Sequence, residues 1–149
     1  MKIAALCLAS LLLLGAAASA VPAAAGKDEE ACDLLKRAEI ADVLGENVGE
    51  PEDLGIGDSS CFWELAGADG GGLVLALFRG REARSEYDDA EALYPESDVT
   101  DVTDLGRRAF FTPSGQIWVQ ENRRTTFFLS GVFDAGPAEE LARLAFDRL

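Results

Sequence analysis

The sequence predicts an α+β fold in which an antiparallel sheet of about five strands carries three helices. Two observations predict this class. Segments with helical periodicity and segments with strand character follow one another as helix, two strands, helix, three strands, helix. Within each group, the strands are separated only by short turns rich in Gly, Pro, Asn or Ser, so that neighbouring strands are expected to run antiparallel.

The first 25 residues have the pattern of a secretory signal peptide. Lys2 supplies the positive charge, residues 3–14 the apolar core, and small residues permit cleavage after Ala20 or Ala25. The alternative is that this stretch stays uncleaved and spans the membrane. Residues 26–30 predict a disordered leader, and residues 31–149 a single domain. We therefore expect an extracytoplasmic protein, periplasmic or secreted, with no membrane span once the signal is removed.

The domain begins with a short amphipathic helix. Ile40, Val43 and Leu44 recur at the i, i+3, i+4 spacing of one helix face, and Gly45 is the residue type that ends a helix. The following loop, residues 46–59, contains Pro51 and allows a short strand near Val48.

A hairpin follows this loop. In the strand Ser60–Ala66, alternate residues Cys61, Trp63 and Leu65 share one face. The strand Leu73–Phe78 is apolar at every position, which predicts a central strand buried on both faces.

The next helix is predicted over residues 81–94, followed by Pro95. Its inward stripe consists of Ala83, Tyr87, Ala90 and Tyr94. Residues 96–104 form an acidic connection. A three-stranded meander then covers residues 107–112, 116–121 and 125–131, and Pro137 is expected at the first position of a last helix.

Only two cysteines follow the signal. Outside the cytoplasm, Cys32 and Cys61 are expected to form one disulfide that ties the first helix to the hairpin. Cys7 lies inside the apolar core of the signal and follows Leu6, so it lacks the context of a lipid-attachment site.

Several short motifs match a known family along nearly the whole mature chain. They are Cys32, Leu34-Leu35, Glu39-Ile40, Leu44-Gly45, Cys61-Phe62-Trp63, Val102, Leu105-Gly106, Ala109 and Ile117-Trp118-Val119. In these features the chain resembles the actinobacterial secreted lipoproteins grouped as domain of unknown function 3558. It departs from them in having Lys36-Arg37 where Thr-Pro is usual, and in lacking a usable lipid cysteine. The resemblance implies an extracytoplasmic domain with a disulfide and assigns no activity.

The residue types present exclude several chemistries. The chain has no histidine, so histidine-dependent nucleophile arrangements and histidine zinc sites cannot form within it. No nucleophile elbow or phosphate-binding loop is present. We predict no catalytic residue, no cofactor and no metal site, although the many acids leave a carboxylate-based hydrolase open as an alternative. The net charge of −14 disfavours nucleic acid as a partner.

Four arginines form the first candidate binding site. Arg107 and Arg108 open the first meander strand, and Arg123 and Arg124 lie in the turn that ends the second. Antiparallel pairing brings both groups to one end of the sheet, where they would attract an anion or an acidic partner. The alternative is internal pairing with the acidic connection, through Asp98, Asp101 and Asp104. These three acids are expected to form a solvated loop rather than a calcium site.

Three aromatic residues form the second candidate site. Phe110, Trp118 and Phe128 lie out of phase with the core residues of their strands. They either form an exposed patch that binds a partner, or lie covered by a helix or loop.

The sequence thus favours a non-enzymatic binding or interaction domain whose partner is an unknown protein. A carrier of a small apolar ligand is the first alternative.

Overall fold

The computed structural model describes residues 30–67, 71–132 and 134–149, so the predicted signal and residues 26–29 of the predicted leader lie outside it. The elements are α1 (Ala31–Leu34), α2 (Arg37–Leu44), β1 (Ser59–Glu64), β2 (Gly72–Arg79), α3 (Glu82–Ala92), β3 (Thr100–Asp101), β4 (Arg108–Phe111), β5 (Gln116–Asn122), β6 (Thr125–Ser130) and α4 (Ala135–Phe146). The predicted α+β class is confirmed. The structure adds α1 and β3 to the predicted elements, giving six strands and four helices in the described residues.

All six strands form one antiparallel sheet in the order β1-β2-β6-β5-β4-β3. The hairpin and the meander therefore meet where β2 pairs with β6. At this junction Leu75 lies opposite Cys61 on one side and Leu129 on the other. The position of β2 between two strands agrees with its uninterrupted apolar sequence.

At both edges of the sheet, the described structure restricts pairing with a further strand. Along the outer side of β1, Val48 bridges to Leu65 and Glu52 bridges to Phe62, so residues 47–52 cover this edge. Pro51 lies within this covering segment and has no amide hydrogen to offer to a further strand. At the other edge, β3 has only two residues, both exposed.

One face of the sheet, here called the disulfide face, carries three helices. α1 and α4 pack on the strands, and α2 packs on α4. The strand residues of this face are Cys61, Trp63, Leu73, Leu75, Leu77, Ala109, Ile117, Val119, Phe127 and Leu129. The predicted disulfide is confirmed: Cys32 and Cys61 are joined with an S–S distance of 2.02 Å and lie 5.0 Å apart at Cα.

The ends of the helices on this face are fixed by polar contacts. Arg148 forms an ion pair with Glu39 and donates to the carbonyl of Leu34 at 2.8 Å, which ties the C-terminal residues to α1 and α2. The hydrogen bond from Arg148 lowers the pKa of Glu39 below its usual value, against the effect of burial.

The start of α4 differs from the prediction. Asp134 caps the helix by accepting a hydrogen bond from the amide of Gly136 at 3.1 Å, so α4 begins at Ala135 and Pro137 is its third residue rather than its first. A proline there removes no helical hydrogen bond, because the first amides of a helix have no partner within it.

The opposite face, here called the α3 face, carries a single helix. Its core consists of Ala76, Phe78, Phe110 and Trp118 from the strands, and of Ala83, Tyr87 and Ala90 from α3. The two alanines allow α3 to approach the sheet closely, and Tyr87 fills the space between them. None of the described helices is long and apolar enough to cross a membrane.

Candidate interaction site: the arginine edge

Arginines gather at one end of the sheet, around the ends of four neighbouring strands. The backbone amide of Arg107 donates to the carbonyl of Gln120 at 2.7 Å, beside the turn that holds Arg123 and Arg124. The amide of Gly80 donates to the carbonyl of Arg124 at 2.9 Å, which brings the residue after it, Arg81, to the same end. Seven of the chain's 13 Lys and Arg residues lie here: Arg79, Arg81, Arg84, Arg107, Arg108, Arg123 and Arg124.

Four of these arginines are exposed and make no ion pair with any described residue. They are Arg81, Arg107, Arg123 and Arg124, and we call them the arginine edge. They follow or precede β2, β6, β5 and β4, which are adjacent in the sheet. Because neighbouring strands are about 4.8 Å apart, the edge spans about 14 Å.

Arg81 was missing from the sequence-based set. It is the first residue of the predicted helix over residues 81–94, and the pairing of the preceding strand with the last meander strand was not predicted from the sequence. Only the strand order β2-β6-β5 brings Arg81 beside Arg123 and Arg124.

Arg108 has a different environment from its neighbours. It forms ion pairs with Asp88 and, at 3.2 Å, with Glu91, both on α3, and its guanidinium lies 4.4 Å from the centre of the Tyr87 ring. The expected internal pairing with Asp98, Asp101 and Asp104 is therefore replaced by pairing with α3. The physical reason is that α3 packs over β2, β6 and β5 and presents Asp88 and Glu91 to Arg108, whereas Asp101 lies in the edge strand β3, opposite Phe110 rather than Arg108.

The pKa values of Asp88 and Tyr87, two neighbours of Arg108, are shifted by their surroundings. The hydrogen bond from Arg108 holds the pKa of Asp88 below its usual value, in opposition to burial. Burial raises the pKa of Tyr87, and the charge of Glu91 adds to this effect. Asp88 is thus charged and Tyr87 neutral at pH 7, which keeps the cation of Arg108 balanced by carboxylates.

The acidic connection is exposed at all three of its predicted residues, Asp98, Asp101 and Asp104. Within residues 30–67, 71–132 and 134–149, no three acidic or cysteine side chains lie together as a metal site needs.

The predicted aromatic site lies largely beneath α3. Phe110 is 1% exposed and Trp118 7% exposed, while Phe128 is half-buried. The three residues lie opposite one another on adjacent strands. Ring centres are 5.2 Å apart for Tyr87 and Phe110, and 4.7 Å apart for Trp118 and Phe128. This arrangement makes the aromatic row a second core rather than a flat exposed patch.

Among the residues that the structure describes, two polar side chains are buried on the α3 face without a hydrogen-bond partner. They are Gln120, through Nε2, and Thr126, through Oγ1, and they lie opposite each other in the sheet. On the disulfide face, the indole nitrogen of Trp63 is also buried and unpartnered.

Two surface grooves are predominantly polar. One of about 470 Å³ includes Glu30, Cys32 and Asp53 in its lining, and one of about 420 Å³ includes Glu91 and Tyr94. Neither groove is lined by Phe110, Trp118 or Phe128, so neither offers the aromatic cavity that a carrier of apolar ligands needs.

Comparisons of the chain with protein-family models, with curated proteins and with solved structures find no match. The resemblance to domain of unknown function 3558 therefore stays a prediction.

Proposed function

We propose that the protein is an extracytoplasmic, non-enzymatic binding domain that holds an anionic partner at the arginine edge. A single observation carries the proposal: a chain with net charge −14 keeps four exposed arginines together at one end of its sheet, without an ion pair to any described residue. Surface charges of a folded protein are ordinarily interspersed with opposite charges, so a segregated group favours a partner of opposite sign.

The charge of the remaining surface supports this proposal, because it directs an anionic partner toward the arginine edge. Because the net charge is −14, the protein as a whole repels anions, whereas the arginine edge attracts them. A partner is therefore steered to the arginines, which raises the rate of productive encounter more than it raises the affinity. The guanidinium groups then bind carboxylate or phosphate oxygens through paired hydrogen bonds.

The extracytoplasmic location is supported by the disulfide, because such bonds persist in oxidising compartments. The signal-like N-terminal sequence adds to this support. Mass spectrometry of protein recovered from the medium or periplasm should show a mature chain that starts at Val21 or Gly26. A chain retained in the cytoplasm with its first 25 residues intact would contradict the proposed location.

Binding of anions is tested by retention of the oxidised domain on a sulfonate matrix at pH 7 and low salt. We expect retention, because a local positive surface can bind the matrix although the net charge is negative. Arg107→Gln, Arg123→Gln and Arg124→Gln in combination should abolish it. As a control of equal charge, Lys36→Gln should leave retention unchanged while Arg123→Gln alone shortens it. Passage of the wild type through the matrix without delay would contradict the proposal.

A further inference from the structure

We infer that the anionic partner of the arginine edge is an acidic polypeptide segment, rather than a phosphate polymer or an anionic membrane. This inference rests on the proposed function, and it adds the chemical class and the length of the ligand. It is carried by three observations: the pairing of Arg108, the length of the edge, and the acids that surround it.

The molecule already contains one example of the proposed recognition. Arg108, adjacent in sequence to Arg107 of the edge, binds two carboxylates from one polypeptide segment, Asp88 and Glu91 of α3. Arginines at this end of the sheet are thus placed to accept carboxylates that lie close together along a chain. Arg81, Arg107, Arg123 and Arg124 have the same side chain and lie at neighbouring strand ends, and no described acid occupies them.

The length of the edge matches a short extended peptide. In an extended chain, side chains on one side recur about every 6.8 Å, so three alternate carboxylates span about 14 Å. This equals the estimated span of the four strand ends. Each of the three carboxylates can then meet a guanidinium fork among the four arginines, which favours arginine over lysine there.

Acidic residues limit the size of the ligand. Asp58 lies at the β2 end of the site, where its carboxylate accepts a hydrogen bond from the backbone amide of Arg79. Glu82 follows Arg81 directly, and Glu121 lies near the end of β5. A long polyanion or a flat anionic membrane would extend beyond the edge and approach these acids to within the screening length of about 8–10 Å. A segment with about three carboxylates approaches fewer of these acids, because it is no longer than the arginine edge itself.

The test uses a fluorescein-labelled hexapeptide of alternating Glu and Ser, which carries three Glu, with binding followed by fluorescence anisotropy at 50 mM NaCl. We expect saturable binding to the oxidised domain. Replacing Glu by Gln in the peptide should remove it. Combining Arg81→Gln, Arg107→Gln, Arg123→Gln and Arg124→Gln should weaken it at least tenfold, whereas Lys36→Gln should change it less than twofold.

Two competing ligands distinguish failure of this inference from failure of the proposed function. The first is tripolyphosphate, and the second is vesicles containing phosphatidylglycerol. Binding of either one through the arginine edge, without binding of the peptide, would overturn the inference and leave the anion-binding function standing. Peptide binding that survives the four substitutions, in variants whose circular dichroism and melting match the wild type, would also overturn it. Absence of binding to all three probes, together with no retention on the sulfonate matrix, would overturn both.

Discussion

The two faces of the one sheet are stabilised by different interactions. The disulfide face is covered by three helices, and its core is composed almost entirely of aliphatic and aromatic side chains held by a covalent bond. The α3 face is covered by one helix whose inward side presents Ala83, Tyr87 and Ala90. That helix is held to the sheet by Arg108 as well as by apolar contact, above two buried polar groups that lack partners.

This difference separates the source of stability from the surface available for binding. Apolar burial and the disulfide are insensitive to salt and moderate pH, whereas the pairs made by Arg108 depend on both. The charged side chains that distinguish the protein lie at the end of the sheet and over the α3 face. Substitutions there should change interactions more than folding, whereas substitutions on the disulfide face should change folding most.

Trp63→Ala should destabilise the fold by about 3–5 kcal/mol, because the side chain is 0% exposed in the core of the disulfide face and its loss leaves a cavity. Urea unfolding followed by tryptophan fluorescence of the remaining Trp118 measures this loss. A variant with the wild-type midpoint would show that the disulfide face is not the main source of stability.

Replacing both Cys32 and Cys61 by Ala should cost about 3–4 kcal/mol, since the bond closes a loop with a sequence separation of 29. Thermal melting with and without a reductant gives the check. Reductant should lower the melting temperature of the wild type and leave that of the double variant unchanged. Equal stability of the two proteins in the absence of reductant would contradict the expectation.

Trp118→Ala should cost about 2–3 kcal/mol, less than Trp63→Ala, because Trp118 lies beside the half-buried Phe128 at a less enclosed part of the α3 face. The matched pair of tryptophan variants compares the two faces directly by denaturant unfolding. A larger loss of stability in Trp118→Ala than in Trp63→Ala would show that the α3 face contributes more to stability than the disulfide face. Hexapeptide binding by the folded variant should stay within twofold of wild type, because Trp118 is not part of the arginine edge.

Arg108→Gln should destabilise by about 1 kcal/mol at pH 7 and low salt, through loss of half-exposed ion pairs and of the contact with Tyr87. The folded-state pKa of Asp88 is lowered, so its contribution is present above the unfolded pKa of about 3.9 and is lost as the pH falls through the folded value. The difference between variant and wild type should therefore shrink below about pH 4 and at high salt. Stability curves that stay parallel from pH 7 to pH 3 would contradict this account.

Thr126→Val should stabilise the protein by up to about 1 kcal/mol, because it replaces a buried hydroxyl without a partner by a methyl group of similar size. Chemical denaturation at pH 7 measures the gain. The control is Thr125→Val on the same strand, where the side chain is half-buried and should change stability little. A clear loss on Thr126→Val would show that its hydroxyl has a partner, such as a buried water.

Much of the fold was predictable because its elements carry local signals. Gly45 ends α2 in the left-handed conformation, with φ 69°, and the apolar run of β2 marked an interior strand. Strand β3 has only two residues, too few to show the alternation of apolar and polar residues that predicts a strand. The strand order that joins Arg81 to Arg123 and Arg124 depends on contacts between residues distant in sequence, so local patterns could not supply it. The sequence likewise left open whether Phe110 and Trp118 were covered, because alternation shows which face a residue occupies and not what packs upon it.

The structure of the two sheet edges affects aggregation of the protein at high concentration. Residues 47–52 occupy the hydrogen-bonding groups outside β1, and their Pro51 and the acids Glu50 and Glu52 discourage a further strand. The other edge offers only Thr100 and Asp101. Growth of the sheet by addition of strands from other copies, the step that begins amyloid-like aggregation, therefore has no long template at either side. Association can then occur through side chains at the strand ends without converting into an irreversible assembly.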